Sequence, residues 1–285
     1  MTDTPGSGDS GARGAARDPR DPRDPGPPRV AGNVAGAARL VTSRPAGEGV
    51  GEDAEAVRRD VGVVIVAAGS GSRVGGAELK QFRWVYGKPM LLHSVQAFQA
   101  RADVAMVVVV LPRAHAADPP PWLFQSDLDR LLVAAGGRER GDSVYNGLED
   151  LPEDVEYVLV HDAARPLATD AMIDRVVAEA RQGHGAIAAL PVVDTLKEVD
   201  EQGGIVRTVE RTRLWRAQTP QGFPRAMIER AHAEARRTGA TATDDAALCE
   251  RLGLPVRVVR GSERAMKVTE EADFLRAEAM GMLAE

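Results

Sequence analysis

The chain has 285 residues, 44% of them hydrophobic, which suffices for one sizeable core or two small ones. Its formal net charge of −6 lacks the basic excess expected of a protein that grips a polynucleotide backbone, so no nucleic-acid partner is expected. A single cysteine, Cys249, excludes a disulfide framework and a cysteine zinc site, and it fits a reducing compartment.

Residues 1–58 stand apart from the rest. Seven of the 18 prolines and ten of the 29 glycines fall within the first 60 residues, and no aromatic precedes Phe82. The tract RDPRDPRDP (17–25) repeats a tripeptide whose proline forbids helix and whose charges favour solvation. Such a composition cannot bury enough apolar surface to offset its ordering entropy, so a disordered tail is expected over 1–58 and one domain over 59–285. The opening MTDTPGSGDSGARG has no apolar stretch of the secretory kind, and cytoplasm is the expected location.

From Val61 onward apolar runs alternate with helical patterns. VGVVIVAA reads as a buried strand and PMLLHSVQAFQA as a helix with Pro89 in its first turn. AMVVVVLP is a second buried strand, part of an apolar run too short to span a bilayer and closed by Pro112. A helix is expected to begin at Asp142 or Ser143, followed by the strand VEYVLVHD and the helix TDAMIDRVVAEARQG with Gly183 at its end. GAIAALPVV is a fourth strand. Thr195–Trp215 alternates polar and apolar residues around Gly203–Gly204, which predicts a two-stranded ribbon arm, placed at about 195–217. PRAMIERAHAEARRTG and TDDAALCERLG are helical, VRVVRG is a strand, and a last helix opens at Thr269. Cys249 falls at helical spacing and reads as a buried structural thiol. This rhythm predicts an α/β sandwich over a largely parallel sheet, with the ribbon outside it.

VVIVAAGSGSRVGGAELKQF (63–82) follows the first strand with a glycine-rich segment and two cations, Arg73 and Lys80. It fails the P-loop pattern, because Gly75–Gly76 is followed by Ala77–Glu78 rather than Lys-Ser/Thr. It also lacks the third glycine of the dinucleotide fingerprint, Val74 standing there. What remains is a loop off the carboxyl end of the first strand, where open α/β sheets bind ligands, or simply a surface loop with solvated charges. A second strand, VLVHD, delivers Asp162 to the same edge, with Arg165 three residues on. An acid beside a phosphate site is repulsive unless a divalent cation lies between them; otherwise Asp162 and Arg165 are a strand-end surface pair. His161 reads as a packed or orienting side chain rather than a general base.

The chain resembles the 2-C-methyl-D-erythritol 4-phosphate cytidylyltransferases of the non-mevalonate isoprenoid pathway. The resemblance runs from about Val61 to Met280 through AAGSGSR, LKQF, GGRERGDSV, VHDAARP, PVVDTLK, TVERTRLWRAQTPQGF, TATDDA and MKVT, in the family's order. It implies a three-layer, Rossmann-like nucleotidyltransferase fold with a mostly parallel mixed sheet and a protruding arm. It also implies transfer of CMP from CTP to methylerythritol phosphate, with release of pyrophosphate and with Mg2+ as cofactor. The family's transition-state cations fall on Arg73 and Lys80, its metal-binding acid on Asp162, and the cations that position the acceptor phosphate on Arg211 and Lys267. Nucleotide contacts fall on Ala67, Ala68, Gly69, Gly137 and Ser143, and further substrate contacts on Arg165, Thr195 and Thr243. The resemblance implies a homodimer whose arms complete each other's sites. One position departs from the family's usual pattern: Ala265 stands where asparagine is common, two residues before Lys267. A ribitol 5-phosphate cytidylyltransferase would share the phosphate-handling residues. A non-catalytic nucleotide-binding module would have lost at least one of them, and none is missing.

Overall fold

A computed structural model describes residues 57–69 and 78–283. The expected tail lies almost wholly outside the described residues, and so does Arg73. In chain order the elements are β1 (Val61–Val66), β2 (Trp84–Val85), β3 (Lys88–Pro89), α1 (Met90–Gln99), β4 (Val104–Leu111), α2 (Arg113–Ala117), β5 (Leu131–Ala135), α3 (Arg140–Glu149), β6 (Tyr157–Asp162), α4 (Asp170–Arg181), β7 (Gly185–Pro191), β8 (Leu196–Val199), β9 (Ile205–Val209), β10 (Trp215–Pro224), α5 (Arg225–Thr238), α6 (Asp245–Arg251), β11 (Val256–Arg260) and α7 (Glu271–Met282).

Seven strands form one sheet in the order β11-β7-β10-β6-β1-β4-β5. Only β10 runs against its neighbours, so the sheet is mixed and mostly parallel, as expected. Parallel strands must be covered on both faces, and the period-2 alternation of β1 does this. Val61, Val63 and Ile65 join one core with Leu91, Val95 and Phe98 of α1 and Met172, Ile173 and Val176 of α4. Val64 joins the opposite core with Val144 and Leu148 of α3, Ile228 of α5 and Leu248 and Cys249 of α6. The result is a three-layer α/β sandwich. Cys249 is fully buried, and burial pushes its thiol up to about 12, which makes it an inert core residue.

The two-residue strands β2 and β3 escaped the periodicity reading, and so did two strands of the main sheet. β5 is a short, plain apolar run, LLVAA. β10 carries Gln218, Thr219, Pro220, Gln221 and Gly222, a run that reads as a turn. Inside the sheet its polar side chains are buried and bonded. Gln218 donates to the Ser262 carbonyl (2.8 Å) and accepts from the Ser262 amide (3.1 Å). Gln221 donates to Asp244 (2.8 Å) and accepts from the Asp245 and Ala246 amides, so it fixes the start of α6.

Two helix starts also differ from expectation. α3 opens at Arg140, because Glu139 and Asp142 form a reciprocal capping box that makes Asp142 the third helical residue. α7 opens at Glu271 in the same way, with Glu270 and Asp273 as the box. The expected ribbon is present as the antiparallel pair β8 and β9, a sheet of its own, but it is shorter than expected, because Trp215, Arg216 and Ala217 pair with β7 in the main sheet.

Candidate active site

At the carboxyl edge of the central strands lies a cleft of about 530 Å3. Its walls carry Ala67, Ala68, Gly69, Lys80, Gly137, Ser143, Asp162 and Lys267, eight of the residues singled out from sequence. Strand register explains the convergence. Val66 at the end of β1 pairs with Asp162 at the end of β6, so the acid and the exit of the glycine segment leave the sheet side by side. Ala67 continues the ladder by donating to the Val110 carbonyl (2.9 Å), and Gly136 does so by donating to Leu111 (2.7 Å).

The cleft needs glycine where β5 turns into α3. A Cβ on Gly136 would lie 2.4 Å from the Cβ of Ala68, and one on Gly137 would lie 2.1 Å from the Cβ of Asp142. Only bare backbone lets this turn close on the β1 exit. Ser143 locks it: its hydroxyl accepts from the Gly137 amide and donates to the Glu139 carbonyl, both at 3.1 Å. Buried Gln81 does the same for the other wall, donating to the carbonyls of Ala67 (2.6 Å) and Gly69 (3.1 Å).

Asp162 is the charged centre. Lys267 Nζ lies 2.7 Å from its Oδ2, and Arg140 reaches its Oδ1 at 3.4 Å. Burial opposes its ionisation, but Arg140 and Lys267, with help from Arg165, outweigh that and hold the carboxyl well below the usual carboxylate range. Asp162 is therefore an anion inside a cationic frame. Lys80 reaches the same wall, donating to the Val268 carbonyl at 2.7 Å, so both lysines converge on the 267–268 segment.

His161 behaves as the orienting side chain expected. It is fully buried, edge-on to Phe98 at 5.1 Å, and desolvation pushes its pKa down to about 4. The Asp162 amide donates to Thr219 Oγ1 (3.0 Å), the hydroxyl donates to His161 Nδ1 (3.2 Å), and Nε2–H donates to the Arg165 carbonyl (3.1 Å). This tautomer is assigned from those bonds. A neutral imidazole thus spans the Asp162–Arg165 turn.

The other residues singled out lie elsewhere. Arg165 lies beside Lys267 in an adjoining hollow of about 460 Å3, with Gln218 and Arg216. Its guanidinium donates to the carbonyls of Ala265 (2.8 Å) and Ala217 (3.2 Å). Ala265 therefore contributes its main chain here, while its methyl group is packed in the core. Thr243 is exposed on the approach to α6, and Thr195 and Arg211 are exposed at the two ends of the ribbon hairpin, away from the cleft lining. Sequence reasoning passed over Arg140 and Gln81. The signal for Arg140 was a cation in the glycine turn after a strand, GGRERG.

Asp162 is the carboxylate in the cleft placed to hold a divalent cation. Among the described residues no group of three or more His, Cys, Asp or Glu is arranged to bind a metal. Mg2+, however, is commonly held by one or two carboxylates together with substrate phosphates. A carboxylate offers about four lone-pair positions, and the two cations engage one on each oxygen of Asp162, so the residues present fit such an ion once a triphosphate supplies the other oxygens.

The model of the 2-C-methyl-D-erythritol 4-phosphate cytidylyltransferase family matches residues 61–282. The proteins of that name from Desulforamulus reducens and Frankia casuarinae are 40% and 42% identical over 218 and 221 residues. These alignments span 76% and 77% of this chain, and 93% and 80% of the relatives. The crystal structure of the enzyme from Thermus thermophilus superposes with a TM-score of 0.67 at 37% identity, covering 79% of this chain and all of that one. With a family model matched over residues 61–282, relatives at 40% and 42% identity and a solved structure of the same fold, the chain belongs to the 2-C-methyl-D-erythritol 4-phosphate cytidylyltransferase family.

Proposed function

We propose that the chain transfers CMP from CTP to 2-C-methyl-D-erythritol 4-phosphate at the Asp162 cleft, giving 4-diphosphocytidyl-2-C-methyl-D-erythritol and pyrophosphate. Family membership supports the reaction. The observation that supports this place for it is one anion, Asp162, framed by Lys267 and Arg140 beside the glycine-rich exit of β1.

An oxygen of the acceptor phosphate attacks the α-phosphorus of CTP, the α–β anhydride P–O bond breaks, and pyrophosphate carries away the electron pair. The attacking phosphate is already anionic, so no general base is required, which agrees with a neutral, buried His161. The barrier lies in bringing two anions together and holding the charge that develops, which is positioning and electrostatic work. In this reading Ala67, Ala68, Gly69, Gly137 and Ser143 seat the nucleotide, while Arg73 and Lys80 stabilise charge at the α-phosphate and the leaving pyrophosphate. Lys267, with Arg165 in the adjoining hollow, holds the acceptor phosphate, and Asp162 holds Mg2+. The ion, when bound, neutralises triphosphate charge.

The arm supports a homodimer with shared sites. A two-stranded ribbon alone is marginally stable in water, and this one exposes Val199, Ile205 and Val206. Arg211 and Thr195 would then serve the partner's cleft, together with Thr243 of the home chain. A cytoplasmic location remains part of the reading; no described helix is long and apolar enough to cross a membrane. The test is pyrophosphate release by the purified protein. It is expected only when CTP, methylerythritol phosphate and Mg2+ are all present, and its absence under those conditions refutes the reading.

A further inference from the structure

Arg140 divides its guanidinium between two acids on different elements. Nη1 donates to Oδ2 of Asp245 at 2.8 Å, while Nη2 lies 3.4 Å from Oδ1 of Asp162. The guanidinium thus sits closer to Asp245 than to Asp162. Its anchor is deep: Asp245 is 1% exposed and His232, 2% exposed, donates from Nε2 to its other oxygen at 2.9 Å. Asp245 is further held from below, its amide donating to Gln221 Oε1 (3.2 Å). Burial opposes the charge on Asp245, but Arg140, then His232, keeps it an anion. The same two acids hold the Arg140 charge firmly on against burial.

We infer that Asp245 and His232 are positioning residues that hold Arg140 back from Asp162, so that Asp162 keeps oxygen positions free for a cation and for Lys267. The physical reason is competition. A guanidinium matches a carboxylate as a two-pronged fork, and the bidentate pair is its strongest arrangement. Released from Asp245, Arg140 would close onto Asp162 with both prongs and block the oxygens that face the cleft. An anchoring anion prevents this by claiming one prong first. The anchor is built from three elements that meet only in the fold: the start of α3, the middle of α5 and the start of α6. Arg140 touches the group that would hold the metal, and changing residues so placed typically alters metal affinity or activity about 10–100-fold; Asp245 and His232 act on the site through it.

The inference rests on the proposed metal role of Asp162, and its test separates the two. Asp245→Asn keeps the shape and a neutral acceptor for Arg140 but removes the charge that holds it; His232→Gln loosens the same anchor from the other side. Binding of Mn2+ in the presence of CTP, read by electron paramagnetic resonance, reports the site without any turnover. Both variants are expected to weaken Mn2+ binding about tenfold or more while keeping the wild-type melting temperature within a few degrees. Turnover is then compared in a double-mutant cycle with Asp162→Asn. Because Asp245 acts through Asp162, Asp245→Asn should lower kcat about tenfold or more in the wild-type background and less than about threefold in the Asp162→Asn background. Equal factors in both backgrounds, or unchanged Mn2+ binding in both folded variants, would overturn the inference. Should Asp245→Asn fail to fold, His232→Gln carries the same cycle. If the wild type itself binds no Mn2+ with CTP, the metal role of Asp162 fails first, and the inference falls with it.

Discussion

Lys267 Nζ sits 2.7 Å from Asp162 Oδ2, bridging 105 residues of chain and joining the segment before α7 to the end of β6. The Lys267 side chain is 41% exposed and that of Asp162 13%; in the proposed reaction the pair places a cation where the acceptor phosphate would arrive. Replacing Asp162 by Asn keeps the shape and removes the charge. Turnover should fall and the Mg2+ concentration for half-maximal rate should rise, read by a Mg2+ titration of initial rates. An unchanged titration would remove Asp162 from the metal role.

Lys80→Ala and Arg73→Ala should each lower kcat by about two to three orders of magnitude, the size of effect seen when a preorganised charge-stabilising donor is removed. The melting temperature of Lys80→Ala should change little, because Lys80 lies outside the apolar cores of the described residues. Near-normal turnover in either variant would show that the residue does not stabilise the transition state.

His161 makes stability depend on pH. Its folded pKa of about 4 lies below the unfolded value of about 6.5, so the unfolded chain takes up the proton first. Stability is complete above about pH 6.5, falls as pH drops towards 4, and the full loss from this one group is on the order of 3 kcal/mol. Chemical denaturation at pH 7 and pH 4.5 should show this slope in the wild type and a shallower one in His161→Gln. Equal slopes would mean that His161 does not carry the effect.

Removing residues 1–56 should leave melting temperature and turnover unchanged, as expected of a Pro/Gly-rich segment that cannot bury a core. The cut must spare Asp60, which is buried, accepts from the amides of Glu156 and Tyr157, and pairs with Arg181 at 2.8 Å. A loss of either property in the shortened chain would make the segment part of the fold or of the site.

Subunits carrying Arg211→Ala mixed with subunits carrying Lys80→Ala should regain about one good site per mixed dimer, because one site takes both defects and the other neither. Confirmed subunit exchange with no returning activity would show that the arm does not serve its partner.

Much of this architecture is legible in the sequence, and the exceptions have physical causes. β1, β4 and β6 are runs of Val, Ile and Leu whose burial on both faces leaves little room for another reading. β10 was not legible, because Gln218, Thr219 and Gln221 earn their buried places through bonds to Ser262, Asp162, Asp244 and Asp245, far away in sequence. The start of α3 lies two or three residues before the expected Asp142 or Ser143 because Glu139, an uncommon cap, closes its box with Asp142. For the site, Asp162 and the glycine-rich segment after β1 follow from strand ends, whereas Ala67 and Ser143 rest on the family resemblance. Arg140 follows from neither, since its meaning comes from Asp245, 105 residues later, on a helix whose position only the fold supplies.

The central claim is that this cleft passes CMP to methylerythritol phosphate, and the most direct measurement is kcat/KM for that acceptor and for ribitol 5-phosphate in one pyrophosphate-release assay. A preference of about a hundredfold or more for methylerythritol phosphate is predicted, because a site that hydrogen-bonds one polyol leaves polar groups unpaired with another; Lys80→Ala should suppress transfer to both. Equal or better use of ribitol 5-phosphate, or full transfer by Lys80→Ala, would contradict it.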